Sequence, residues 1–100
     1  MTSSVSPFQA QRSASTACFS VTAANDPATL PRVLGLFAKL GRTPHQCHAT
    51  SFGVDAEELH IDLQYPHMTD SEAQHLARAL RGCFLVKSVL TSHKQERMIA

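Results

Sequence analysis

Histidine is the residue type whose abundance here suggests chemistry, since six of the 100 residues are histidines. His48 and His60 fall in two segments of alternating residues on either side of a turn near Val54. If the segments pair as a hairpin, both imidazoles and the Asp62 carboxylate lie on its polar face, a donor set that suits a divalent cation. Polar neighbours on a solvated sheet face are the competing interpretation, and no close ligand pair such as His-x-x-x-His occurs. We favour the solvated face and keep a metal-binding protein as an alternative hypothesis.

Cysteine is the other reactive residue type, and its spacing argues against catalysis. Cys47 and His48 are adjacent, so on a strand their side chains point to opposite faces and cannot act as thiolate and base. Cys18, Cys47 and Cys83 are far apart, odd in number and without a Cys-x-x-Cys pair, which favours neither disulfides nor structural zinc. We expect a reducing, cytoplasmic setting, no intrinsic enzymatic activity and no cofactor on this chain.

Charge and hydropathy exclude other classes of function. Nine basic residues are balanced by eight acidic ones and are scattered along the chain, a pattern that does not favour nucleic-acid binding. The sheet of an RNA-recognition module also needs paired outward aromatics, whereas this chain has no Trp and a single Tyr. No apolar run approaches the roughly 20 residues that span a bilayer. We therefore expect neither a nucleic-acid nor a membrane partner.

The first half of the chain predicts a tail, a strand and a helix. Residues 1–15 are rich in Ser, Gln, Thr and Ala, which predicts a mobile N-terminal tail. Residues 16–24 alternate as a half-buried strand. Apolar residues then recur at helical spacing until Gly41. The helix begins either at Pro27, with Asp26 as its cap, or at Thr29, because Pro31 would break a longer helix.

The second half predicts a hairpin, a helix and a strand. Residues 46–52 and 58–65 flank the turn near Val54, and Thr69 with Glu72 forms a capping box for a helix that ends at a left-handed Gly82. A last strand covers residues 84–90. The order strand, helix, strand, strand, helix, strand predicts an α+β, ferredoxin-like domain over residues 16–92, with a four-stranded antiparallel sheet, two helices on one face and a C-terminal tail over residues 93–100.

Three stretches carry a resemblance to a known family: NDPATLPRVLGLFAKLG, VDAEELHIDL and VKSVL. They resemble the ACT domains of acetolactate synthase regulatory subunits, and most closely the short subunit of the isozyme II type. The resemblance covers roughly residues 16–92. It implies a non-catalytic subunit that supports a thiamine-diphosphate-dependent catalytic subunit in branched-chain amino-acid biosynthesis, with the cofactors on that partner.

The resemblance also implies an amino-acid effector site at a dimer interface. Its residues would be the loop before the first helix and the start of the second strand of the partner chain, namely Asn25, Asp26, Pro27, Ala28 and Thr29 with Thr43 and Pro44. Free backbone donors at a helix start suit a carboxylate, and side-chain oxygens of the loop suit an amino group. A plain helix cap is the alternative interpretation of the same loop.

Two departures from the family's pattern bear on the effector. Effector-binding members usually have Gly at the position of Ala28 and Asn at the position of Thr43. We therefore favour a stabilising or activating subunit, and keep a free-standing amino-acid sensor as the alternative.

The expected partners follow from the edges of the predicted sheet. Its second and fourth strands are edges, and an unpaired edge is a template for pairing. We expect a homodimer through the second strand, with the catalytic subunit docked elsewhere and a small amino acid as an optional ligand. The residues of that strand on the polar face are Gln46, His48, Thr50 and Phe52.

Overall fold

The computed structural model describes residues 15–95 as one sheet with two helices. The elements in chain order are β1 (Ser15–Ala24), α1 (Thr29–Ala38), β2 (Gln46–Phe52), β3 (Glu58–Pro66), α2 (Asp70–Arg81) and β4 (Val86–Gln95). The strands are antiparallel in the order β2-β3-β1-β4, so β2 and β4 are the edges. This is the predicted α+β, ferredoxin-like fold, with both helices on one face of the sheet.

Strict alternation in the two central strands builds the core. Every second residue of β1, from Ala17 to Ala23, is at most 1% exposed, and Ile61 and Leu63 of β3 are fully buried beside them. The opposite residues of both strands face away from the helices, as the register shows. One face of the sheet is therefore the core and the other is polar.

Three aromatic rings join the sheet to α1. The Phe37 ring stacks on Tyr65 at a centroid distance of 4.1 Å, and Phe19 meets both rings edge-on. The Tyr65 hydroxyl is buried and makes no hydrogen bond with any described residue. Burial, reinforced by the nearby Cys47 thiol, raises the pKa of this phenol, so it stays neutral at all ordinary pH values.

The helix starts follow their local chemistry. Of the two predicted starts of α1, the structure has Thr29, and Pro31 therefore lies in the first turn, where no backbone N–H is required. In α2 both halves of the predicted capping box are present, since Thr69 accepts from the Glu72 N–H and Glu72 accepts from the Thr69 N–H. That box fixes where α2 begins.

Two predictions about the second half were wrong in detail. Gly82 has φ −82°, which is right-handed, so it is an ordinary helix end and not a left-handed stop; Gly41, at φ 70°, is left-handed. The last strand covers Val86–Gln95 instead of residues 84–90, because it pairs with β1 as far as Ser15. The strand therefore extends past the predicted domain end at residue 92.

The terminal tails fall mostly beyond what can be described. The predicted N-terminal tail over residues 1–15 lies outside the described residues except for Ser15, which belongs to β1. Residues 96–100 likewise lie outside them. Between residues 15 and 95, no helix is long and apolar enough to cross a bilayer.

Candidate functional site

The loop between β1 and α1 is closed by its own hydrogen bonds. The Asp26 carboxylate oxygen Oδ1 accepts from the Ala28 N–H at 2.8 Å, and the Asp26 carbonyl accepts from the Thr29 N–H at 2.9 Å. The buried Thr29 hydroxyl donates to the Ala24 carbonyl at 2.7 Å. Asp26 therefore already accepts from the backbone N–H groups of Ala28, the residue before α1, and of Thr29, its first residue.

Asn25 ties the same loop to the β2–β3 turn. Its side-chain amide donates to the Ala56 carbonyl at 2.8 Å, and its backbone N–H donates to the Glu57 carbonyl at 3.0 Å. Ala56 has φ 52°, a left-handed conformation that costs a residue with a Cβ some energy. Backbone donors of Glu57 itself and of Asp55 hold the pKa of the Glu57 carboxyl below its usual range, so the turn carries a negative charge at neutral pH.

These bonds decide what the loop can bind. The remaining oxygens of the Asn25 amide and the Asp26 carboxylate have no hydrogen bond to a described residue, and both side chains are exposed. They can accept from an ammonium group. A ligand carboxylate, in contrast, would have to displace Asp26 from the Ala28 N–H. The loop before α1 is closed by its own hydrogen bonds and retains an amine-accepting edge.

The second half of the predicted site, Thr43 and Pro44, is held by a different contact. The preceding Arg42 forms an ion pair with Glu72 at 2.7 Å and also donates to the His67 carbonyl at 3.3 Å. Its bond to Glu72 joins the segment before β2 to the capping box of α2. The position of the Thr43–Pro44 segment is thus coupled to the start of α2.

Within one chain the two halves of the site are far apart. The Asn25 loop lies beside the start of β3, where Ala24 pairs with Glu58, whereas the segment before β2 lies beside Gln64. Six residues of strand separate these points, about 20 Å at about 3.3 Å per residue. The structure therefore does not bring the two halves together in a single chain.

The polar face of the sheet places the histidines of the metal hypothesis. His48 pairs with Asp62 across β2 and β3, and Thr50 pairs with His60, so the two imidazoles are diagonal neighbours. His60 contacts Asp62 at 3.3 Å and the Ser20 hydroxyl at 3.5 Å. Among residues 15–95 no three His, Cys, Asp or Glu side chains are grouped so that they could hold a metal ion. The arrangement is that of a hydrogen-bonded polar surface.

Sequence reasoning did not anticipate that β2 would be uncovered on both faces. All seven of its residues are exposed, including Cys47, Ala49 and Ser51, which lie on the helix side opposite core residues of β3. Leu40, at the end of the α1 segment, is 50% exposed. The sequence carries a signal for this exposure, because Cys47, Ala49 and Ser51 are smaller than the large apolar residues that face the core elsewhere in the sheet.

The comparison with protein families identifies the domain. The family model described as an ACT-like domain matches residues 10–98, and the chain therefore belongs to the ACT-like domain family. A comparison with curated proteins finds no match. ACT domains are regulatory small-molecule-binding modules that are not themselves catalytic.

Solved structures with the same fold come from proteins of different function. The ACT domain of a GTP pyrophosphokinase from Chlorobium tepidum is 13% identical with a TM-score of 0.64, covering 77% of this chain and 96% of that one. The C-terminal domain of the Mycobacterium tuberculosis MgtC protein is 11% identical with a TM-score of 0.64, covering 88% and 96%. A Pseudomonas putida formyltetrahydrofolate deformylase is 9% identical with a TM-score of 0.55, covering 81% and 29%. At such identities the likeness shows the fold alone.

Proposed function

We propose that this chain is a constitutive regulatory subunit: a homodimer that attaches to a biosynthetic enzyme and stabilises or activates it without requiring an amino acid. The observation that carries this proposal is the closed loop before α1, in which Asp26 accepts from the backbone N–H groups of Ala28 and Thr29. An effector carboxylate needs such donors, and here they are satisfied by the chain itself.

The homodimer is proposed from the state of β2. This strand is hydrogen-bonded to β3 on one side only, and both of its faces are exposed. Antiparallel pairing of β2 with its copy would cover this edge and make an eight-stranded sheet. It would also set the start of β2 from one protomer beside the end of β2 in the other, where the Asn25 loop lies. The Asn25 loop of one protomer would then lie near residues 43–44 of the other across the interface.

Acetolactate synthase is the proposed partner enzyme. Its support is the sequence resemblance of the Asn25–Gly41 and Val54–Leu63 stretches to the regulatory subunits of that enzyme. In this assignment the thiamine diphosphate chemistry belongs entirely to the catalytic subunit. The chain contributes binding and stabilisation, which fits a domain with one core and a polar sheet face.

A free-standing amino-acid sensor is the second candidate, and one observation favours it. The exposed oxygens of Asn25 and Asp26 offer an ammonium group two acceptors at the place where the dimer would complete the site. A sensor must be stabilised by its ligand according to RT ln(1 + [L]/Kd), which is about 2.7 kcal/mol at a hundredfold excess over Kd. A constitutive subunit has no such requirement.

Thermal unfolding separates the two candidates. The full chain is melted alone and with valine, leucine or isoleucine at millimolar concentration. We expect no shift with any of the three. A rise of several degrees with one of them would reject the constitutive subunit in favour of the sensor.

The dimer is tested by light scattering on the wild type and on Ala49→Lys, which sets like charges near each other at the middle of two paired β2 strands. The control is Ser88→Lys on the other edge strand, β4, where the residue is also exposed. We expect dimers for the wild type and the control, and monomers for Ala49→Lys. Dimers for all three would reject pairing through β2.

A further inference from the structure

A hollow of about 300 Å³ lies on the side of α1 that faces the C-terminal end of α2. It is lined by Arg32, Gly35, Leu36, Lys39 and Cys83. Four of these follow the helical spacing i, i+3, i+4 and i+7, so they form one continuous stripe along α1. The stripe flanks the buried stripe of Thr29, Val33 and Phe37, on the side away from Leu30 and Leu34. The hollow is therefore distinct from the β2 edge and from the Asn25 loop.

Gly35 lies in the lining of this hollow, and nothing within the described chain requires a glycine there. A Cβ added at this position would meet no atom within 4 Å, and the backbone is ordinary helix. Glycine inside a helix is less favourable than alanine. Close approach of another molecule is the physical reason that remains for leaving the surface of α1 open at this point.

The charge of the hollow indicates what would approach. Arg32 and Lys39 are exposed at its two ends, and neither forms an ion pair with a described residue, whereas Arg42 and Lys87 elsewhere on the surface do. The helix α1 contains no acidic residue. The hollow thus presents two cations about two helical turns apart, without a counter-charge among the described residues.

An apolar surface accompanies the cations. Leu36 forms part of the lining, and Phe84, which directly follows the lining residue Cys83, is 94% exposed. A phenylalanine that exposed on a small domain contributes nothing to its own core, and aromatic residues and arginine are both enriched at protein interfaces. A hollow with cations at its rim and apolar groups inside is complementary to a segment that has acidic residues and one apolar face.

We propose that the hollow over Gly35 docks an acidic amphipathic helix of the partner enzyme, with an apolar side chain inserted over Gly35 and carboxylates paired with Arg32 and Lys39. This inference rests on the proposed function, because it names the surface through which the regulatory subunit holds the enzyme. Helix-in-groove docking with anchors at i, i+3, i+4 and i+7 is a common mode of recognition.

The test uses the full chain and two probes. The first is the catalytic subunit of acetolactate synthase, with binding and activity both measured. The second is a synthetic helical peptide with leucine at i, i+3, i+4 and i+7 and glutamate between them, titrated while the backbone amide signals are followed by NMR. Two control peptides replace every glutamate by lysine or every leucine by alanine.

The variants separate docking from folding. Gly35→Met places a side chain in the hollow at a position where an added Cβ meets no atom within 4 Å, so its melting temperature should equal or exceed that of the wild type. Arg32→Glu and Lys39→Glu, made singly and together, reverse the charge. Arg78→Glu, at an exposed residue of α2 outside the lining, is the matched control for each single reversal.

We expect the acidic peptide to shift the amide NMR signals of residues 32–39 and Cys83. Gly35→Met and the double charge-reversed variant should bind both probes at least tenfold more weakly than the wild type does. Equal binding of the lysine or alanine peptide, or wild-type binding by Gly35→Met, would overturn the proposal. A change in the oligomeric state of Gly35→Met would overturn it too, by assigning the hollow to a second copy of the chain. If the catalytic subunit fails to bind the wild type, the proposed function fails, and the peptide titration still decides the hollow.

Discussion

Glu72 is the residue whose replacement tests how the candidate site is held in place. Its carboxylate accepts from the Thr69 N–H at 3.0 Å and pairs with Arg42 at 2.7 Å. Glu72→Ala removes one half of the capping box, a hydrogen bond worth about 1 kcal/mol, and a partly exposed ion pair that contributes roughly 0.2–1 kcal/mol. We therefore expect Glu72→Ala to lower the free energy of unfolding by about 1.5 kcal/mol. At about 4–8 °C per kcal/mol for a domain of this size, the melting temperature should fall by roughly 6–12 °C.

Glu72→Gln separates the two contributions, since glutamine retains the cap acceptor and loses the charge. Its expected cost is about 0.5 kcal/mol at neutral pH, mostly the ion pair. Hydrogen bonds from the Thr69 backbone and from Arg42 hold the pKa of Glu72 below its usual range. The charged form therefore stabilises the fold above the unfolded pKa of about 4.3, and this contribution is lost as the pH falls through the lower folded pKa.

The assay is thermal unfolding of the wild type and both variants from pH 7 down to pH 3. The difference between the wild type and Glu72→Gln should be largest at neutral pH and should close at acid pH. If Glu72→Gln is as stable as the wild type at pH 7, the ion pair with Arg42 contributes nothing, and the coupling of residues 42–44 to α2 is refuted. If Glu72→Gln is as unstable as Glu72→Ala, the cap is not what Glu72 supplies, and the ion pair carries the whole effect.

Five further substitutions at four positions have expected outcomes that thermal or denaturant unfolding can check. Tyr65→Phe should be neutral or stabilising by up to about 1 kcal/mol, because it removes a buried hydroxyl that has no partner among the described residues. A loss of stability of more than about 1 kcal/mol would show that the hydroxyl makes a hydrogen bond. Gly41→Ala should cost about 1–2 kcal/mol because φ is 70°, whereas Gly82→Ala, at φ −82°, should change stability by less than about 0.5 kcal/mol; equal costs would contradict the backbone assignment. Asp26→Ala should cost about 1 kcal/mol through the lost bond to the Ala28 N–H, whereas Asp26→Asn should retain most of it; equal losses would show that the carboxylate charge matters more than the cap.

Local patterns predicted most of the fold because each element has a strong local signal. Alternation marked β1 and β3, and the Thr69–Glu72 box marked the start of α2. The end of β4 was missed because pairing with Ser15, a long-range contact, extends the strand through polar residues that carry little pattern of their own. Gly82 was assigned a left-handed conformation from residue type alone, which cannot distinguish a left-handed cap from a helix end that continues in right-handed turns.

The candidate site was predicted less completely than the fold. The loop residues Asn25–Thr29 were identified, but their hydrogen bonds depend on the β2–β3 turn, which only the tertiary structure brings to Asn25. The two half-sites lie at opposite ends of the sheet in one chain, a separation that follows from strand order and register. The hollow over Gly35 had no sequence signal, because a glycine in an amphipathic helix indicates only a locally weak helix.

The most direct test of the regulatory-subunit account is a reconstitution assay. The purified catalytic subunit of an acetolactate synthase from the same organism is assayed for acetolactate formation alone and with increasing amounts of this chain, without added amino acids. We predict a saturable rise in activity or in the lifetime of activity, together with a complex that co-elutes on size exclusion. Unchanged activity and separate elution at every ratio would contradict the account.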